Sequence, residues 1–113
     1  MSQARKRRGM RTQKLVAEAL ARNGWPFAES AGAGRQGADV TGTPDIAVEV
    51  KARTNFDPLA WIRQAEAAAD DGRLPFVVVR CNSQGENVLD YPAMLRFEEL
   101  LALLIEAGYG DQK

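Results

Sequence analysis

Gly37-Ala-Asp-Val-Thr-Gly-Thr-Pro-Asp-Ile-Ala-Val-Glu-Val-Lys-Ala-Arg53 is the stretch whose reading decides the fold. It divides into a strand over 38–41, a Gly42-Thr43-Pro44-Asp45 turn, and a second strand over 46–52. Side chains alternate between the two faces of a strand, so Ile46, Val48 and Val50 share an apolar face. Ala47, Glu49 and Lys51 share the other. If the two strands pair as an antiparallel hairpin, Asp39 comes beside Glu49 and Lys51. Two carboxylates and an ammonium on one sheet face are costly for folding, and they suit a hard divalent cation.

Upstream, the glycine-rich stretch 30–37 has neither GxxxxGK[ST] nor GxGxxG spacing, so it reads as a connection rather than a phosphate cradle. Ser30, Arg35 and Gln36 could still reach a backbone phosphate from it. Residues 25–29 read as a short edge strand with Trp25 and Phe27 on one face. Before them Leu15, Val16, Ala19 and Leu20 recur at helical spacing, with Thr12 as N-cap and Asn23-Gly24 as the stop. Gln13 sits at the edge of that apolar stripe, whereas Lys14 and Glu18 point away from it. Residues 1–9 read as a basic flexible arm, and 10–113 as one domain.

Downstream, Asp57-Pro58 is the clearest helix start in the chain, an Asp N-cap followed by Pro at the first helical position. The helix should run from Leu59 to about Asp71 and end at Gly72. Trp61, Ala65, Ala68 and Ala69 form its buried face and Gln64 its rim, near Lys51. Residues 74–80 form a near-continuous apolar run, the pattern of a strand buried on both faces. A crossover of this length makes that strand parallel to 46–52 and right-handed. Asn82-Ser-Gln-Gly85 is a turn and 87–90 a short strand. Pro92 should open a final helix with Met94, Phe97, Leu100, Leu101, Leu104 and Ile105 on its apolar side, ending at Gly108.

The 113 residues are enough for one core. Fifteen basic and fifteen acidic residues cancel, but Arg5, Lys6, Arg7, Arg8, Arg11 and Lys14 all precede the first acid. Such a segment suits a polyanion, because clustered cations release counterions from phosphates, or serves as a solubilising tail. The chain contains no histidine. That excludes histidine-based nucleases, His–metal hydrolases and Ser-His or Cys-His triads. The single Cys81 cannot form an internal disulfide and reads as a small buried hydrophobe. With no apolar run of membrane length, the expected location is cytoplasmic, in a bacterial or phage-infected cell.

Helix, strand, strand with Asp39, strand with Glu49-Val50-Lys51, helix with Gln64, strand: this order resembles the PD-(D/E)XK nuclease superfamily. The basic segment and Arg8-Gly9 ahead of the first helix look like archaeal-type Holliday junction resolvases and small phage endonucleases. The likeness covers roughly residues 8–80. It implies an α/β restriction-endonuclease-like core, a mixed central sheet of four to five strands flanked by helices in the order α-β-β-β-α-β, with the C-terminal helix added. It also implies Mg²⁺, with Mn²⁺ able to substitute, held by Asp39, Glu49 and the Val50 carbonyl. Lys51 would handle the attacking water and Gln64 would assist, with Gln13 and Ser30 in support. Arg5, Lys6, Arg7, Arg8, Arg11, Arg35 and Arg53 would contact DNA, branched DNA for a resolvase.

Two departures from the family pattern stand out. Asp45 lies only four residues before Glu49, so it belongs to the turn and Asp39 is the strand acid. Gln13 occupies the place where many relatives carry a first-helix Glu, which favours a single cation on Asp39 and Glu49 over a weaker site or a substitute from Glu18. Cutting both strands of a branched substrate implies a homodimer. The final helix either covers the sheet or provides the interface between subunits. Two other functions share these residues. One is a repair, restriction or packaging nuclease on duplex, flap or single-stranded DNA. The other is a catalytically silent DNA-binding module.

Overall fold

The computed structural model describes residues 3–32, 37–70 and 72–111. Along the chain lie α1 (Gln3–Arg22), β1 (Glu29–Ser30), β2 (Val40–Thr41), β3 (Ile46–Lys51), α2 (Pro58–Ala68), β4 (Leu74–Val79), β5 (Ala93–Met94) and α3 (Phe97–Glu106). A short 3-10 helix at Val88–Asp90 precedes β5. The protein is therefore α/β, with three α-helices and two small sheets among the described residues.

β3 and β4 run parallel, with Glu49 beside Val77 and Lys51 beside Val79, and β5 adds antiparallel to β4. The other sheet is the antiparallel pair β1–β2, in which Glu29 faces Thr41 and Ser30 faces Val40. Among the described residues the strands thus form two separate sheets rather than one of four or five strands, and the expected β2–β3 hairpin is replaced by a pivot at Asp39. Its carbonyl accepts from Ala31 N–H at 2.8 Å, extending the β1–β2 ladder, while its own N–H donates to the Val48 carbonyl at 3.1 Å. The next rung toward β3 is taken by a side chain, for Val50 N–H donates to Asp39 Oδ2 at 2.8 Å. A carboxylate acting as a strand partner ends backbone pairing there and leaves the acid fastened to the edge of β3.

All six residues of β3 are buried, because helices cover both faces. Ile46, Val48 and Val50 pack with Val16 and Ala17 of α1, Val40 and Tyr91. Trp61 and Ala65 of α2 form a second cluster with Val77 and Val79. Fully buried Val40, Val48 and Val77 are each worth about 1.5–3 kcal/mol of hydrophobic stabilisation. α2 starts as its sequence dictates, with Asp57 Oδ1 accepting from Ala60 N–H at 3.4 Å and Pro58 in the first turn. It ends at Ala68, short of the expected Asp71, and Arg73 ties its end to β3 by donating to the Ala68 and Ile46 carbonyls at 3.3 and 2.7 Å.

Six further expectations need correcting. The basic segment from Gln3 onward is helical, continuous with α1, where a flexible arm over 1–9 was expected. Thr12 is accordingly no cap; it is fully buried more than two turns inside the helix, where its hydroxyl donates to the Arg8 carbonyl at 2.6 Å and accepts from buried Arg80 at 3.2 Å. Residues 25–28 form a turn, with Ala28 N–H on the Trp25 carbonyl at 2.9 Å, and only Glu29–Ser30 pair as strand. The expected strand at 87–90 is the 3-10 helix, and Pro92 leads into β5, so the last helix begins at Phe97. Cys81 is exposed, because β4 ends at Val79 and residue 81 already belongs to the turn that follows.

α3 buries none of its residues, so it does not cover the sheet. Just before it, Arg96 is ion-paired with Glu66 of α2, with bonds of 2.8 and 3.0 Å. No helix among the described residues is long and apolar enough to cross a membrane.

Candidate functional site

The C-terminal end of β3 opens into a cavity of about 910 Å³. Asp39, Glu49, Val50, Lys51 and Arg53 form one wall, and Arg5, Lys6, Arg8, Gly9 and Gln13 of α1 form another. The helical period explains the second wall: positions 5, 8, 9 and 13 recur at three- and four-residue intervals and share one side. Arg7 and Arg11 fall on a different side. Arg7 is exposed away from the cavity, and Arg11 is bound to Glu86 by two 3.2 Å bonds. Arg35 and Gln36 lie outside the described residues.

Lys51 Nζ is 3.3 Å from Glu49 Oε2, and their side chains are only 7% and 10% exposed. The register that sets them beside Val77 and Val79 also sets them beneath α2, which excludes water. The carbonyl of Val50 faces the opposite edge. Lys51 C=O accepts from Arg80 N–H on the β4 side, and strand carbonyls alternate in direction, so those of Val48 and Val50 point toward Asp39. Val48 takes the Asp39 N–H; Val50 C=O is left beside the Asp39 carboxylate. Among the described residues no cluster of three or more His, Cys, Asp or Glu could hold a metal. The donor set at this edge is two carboxylates and one carbonyl, all oxygen, which matches the preference of Mg²⁺ and Mn²⁺ while leaving positions for water.

Both carboxyl groups titrate above the ordinary carboxylate range. For Asp39 the first cause is burial, opposed by the Val50 N–H and by Lys51 and Arg53. For Glu49 burial is again first, the Asp39 charge adds to it, and Lys51 opposes. A raised carboxyl pKa means that the folded protein holds protons that the unfolded chain has released. Stability therefore falls as pH rises from the ordinary carboxyl value through the raised one, and stays lowered above it. Asp39→Asn keeps an oxygen for Val50 N–H and removes one of the two charges. Its melting temperature in metal-free buffer should exceed that of the wild type at neutral pH, and the difference should vanish as pH falls toward 4. A thermal-shift titration yielding a lower neutral-pH melting temperature would contradict this.

Gln64 does not join the group: it is exposed on α2 and absent from the cavity wall. With Trp61 and Ala65 anchoring the helix, its neighbour at 64 is turned to solvent. Gln13 does join, and Ser30 Oγ donates to Gln13 Oε1 at 3.1 Å. Asp45 stays in the turn, accepting from Trp25 Nε1 at 3.1 Å. Sequence reasoning missed Asn55, after β3, and Asn82, after β4, which complete the rim. Their only signal was position, since loops at the carboxyl ends of adjacent parallel strands meet at one end of the sheet. Arg8 holds the second loop in place, its Nη2 donating to the Cys81 carbonyl at 2.8 Å. Compared with known proteins, the chain matches no family model, no curated protein and no solved structure.

Proposed function

We propose that this protein is a Mg²⁺-dependent, structure-selective DNA endonuclease of the PD-(D/E)XK type, a Holliday junction resolvase. One observation carries the reading. Two carboxylates and a sheltered lysine converge at the edge of one strand, inside a cavity whose facing wall is a row of cations on α1.

Asp39, Glu49 and the Val50 carbonyl would hold the cation, which when bound supplies Lewis-acid polarisation of the scissile phosphate. Asp39 is fixed by Val50 N–H and Glu49 by Lys51, so both ligands are oriented before anything binds. Lys51, at the floor of the cavity, orients the attacking water and offsets negative charge growing on the phosphate oxygens. α2 keeps bulk water from this pair, which strengthens every charge interaction there. Arg5, Lys6, Arg8 and Arg53 bind the phosphate backbone, so affinity should fall steeply with salt and depend little on base sequence.

The test is cleavage of labelled four-way junction, linear duplex, flap and single-stranded DNA, with and without Mg²⁺. Paired symmetric cuts in the junction support the resolvase. Cuts in linear duplex or flaps keep the chemistry and move the substrate to repair or restriction. Binding without any metal-dependent cut would leave a DNA-binding module.

Symmetric cutting requires two sites, and we propose a homodimer through α3. Phe97 is 71% and Ile105 56% exposed, and Leu100, Leu101 and Leu103 are exposed beside them. A helix apolar on nearly every side is normally buried. Leu101→Glu should leave the circular dichroism spectrum unchanged, because that side chain contacts solvent in the single chain, while light scattering shows the mass halve. A wild type that is monomeric at micromolar concentration would remove this role from α3.

A further inference from the structure

We infer that Gln13 is a hydrogen-bond donor to a phosphate oxygen of the nucleic acid, with its amide turned by Ser30, and that it is not a ligand of the cation. The inference rests on the nuclease reading of the Asp39–Glu49 site and assigns a role there to a residue that is neither acid nor base.

The two ends of the Gln13 amide are chemically different. Its oxygen can accept hydrogen bonds or ligate a cation; its nitrogen carries two N–H donors and no lone pair for a metal. The oxygen is engaged, accepting from Ser30 Oγ at 3.1 Å. Ser30 does not line the cavity, whereas Gln13 lines it across from Asp39, Glu49 and Lys51. With the oxygen held on the β1 side, the nitrogen is the amide atom left for the cavity, and it has no hydrogen-bond partner among the described residues. A donor there can meet only an acceptor.

The row on α1 identifies that acceptor. Arg5 and Arg8 share one side of the helix, and Lys6 reaches the same cavity beside them. A phosphate backbone following this row would meet the cations first and the Gln13 amide last, where the row ends beside the two carboxylates. A neutral donor suits this position, because it binds a phosphate oxygen without competing with the cation for charge. A carboxylate at residue 13 would do the reverse: it would repel phosphate and add a third acid to a site that has two.

The test compares Gln13→Met, Gln13→Glu and Ser30→Ala with the full-length wild type, using two probes. The first is the affinity of a fluorescein-labelled DNA duplex in EDTA, read by anisotropy. The second is Mn²⁺ alone, titrated by calorimetry without DNA. Gln13→Met should weaken duplex binding about tenfold, the scale of one hydrogen bond to a charged group, and leave the Mn²⁺ affinity unchanged. Ser30→Ala should weaken duplex binding less, since it loosens the amide without removing it. Gln13→Glu should weaken duplex binding further and tighten Mn²⁺ binding. Loss of Mn²⁺ affinity in Gln13→Met would show that the amide oxygen faces the ion, and unchanged duplex binding in that variant would show that no phosphate reaches it; either overturns the inference. The nuclease reading is judged separately on Glu49→Gln, which must lose Mn²⁺. If it does and Gln13→Met is silent, only the role of Gln13 falls; if wild type binds neither probe, both fall.

Discussion

Lys51→Met is expected to lower DNA cleavage by at least about 10³-fold while junction binding stays within a few-fold of wild type. The figure follows from what one preorganised charged donor contributes when charge develops in a water-excluded site, about 10²–10³ in rate, plus the loss of the group that orients the water. The site has no substitute: Arg53 is exposed, and histidine is absent from the chain. Methionine nearly matches lysine in length, so the space beneath α2 stays filled. Glu49 would then be a sheltered carboxylate without its 3.3 Å ammonium. Since Lys51 is the chief group opposing the upward shift of Glu49, ahead of Arg53, the variant should hold the Glu49 proton to higher pH. Any residual activity should therefore rise over a higher pH range than that of wild type. Binding should survive because Arg5, Lys6, Arg8 and Arg53 are untouched. Single-turnover cleavage together with a gel-shift titration measures both, and cleavage near the wild-type rate would remove Lys51 from the chemistry.

Gly42→Ala should be strongly destabilising, costing about 3–4 kcal/mol from backbone strain and overpacking together. Gly42 has φ of +78°, in the left-handed region that side chains rarely adopt. A Cβ at this position would also drive into the Phe27 carbonyl group and approach Ala28 N. These are backbone atoms, so no side-chain rotation relieves the clash. The turn that Gly42 makes carries the chain from β2 to β3 directly after Asp39, so its distortion would also shift that acid. Urea denaturation should show the lower midpoint, and Mn²⁺ affinity should fall even in the fraction that remains folded. Gly85→Ala is the control: a Cβ there meets nothing within 4 Å, and it should cost little.

The acids and the lysine were legible because strand geometry is local. A period of two puts Glu49 and Lys51 on one face whatever surrounds them, and Asp57-Pro58 starts a helix from its own chemistry. The parallel β3–β4 pair followed from the length of the crossover. Gln64 was misplaced because helical periodicity names a rim without saying which way the helix lies. Asn55 and Asn82 carried no pattern at all, since they meet only when β3 and β4 lie side by side.

Sequence alone therefore determined the local elements and the types of residue able to do chemistry: an all-oxygen donor set, a lysine, no histidine, and cations gathered at one end. Tertiary structure decided what became of them. It split the expected single sheet in two by giving the Asp39 carboxylate to Val50 N–H, a contact across eleven residues that no periodicity encodes. It buried both faces of β3 beneath α1 and α2, which raised the acids' pKa values and sheltered Lys51. It carried the basic segment into α1, where Arg8 reaches Cys81 and Gln84 at the far end of β4. It also left α3 exposed. The reason is the same in each case: local pattern sets which face of an element is apolar, but the partner for that face is chosen by the packing of the whole chain.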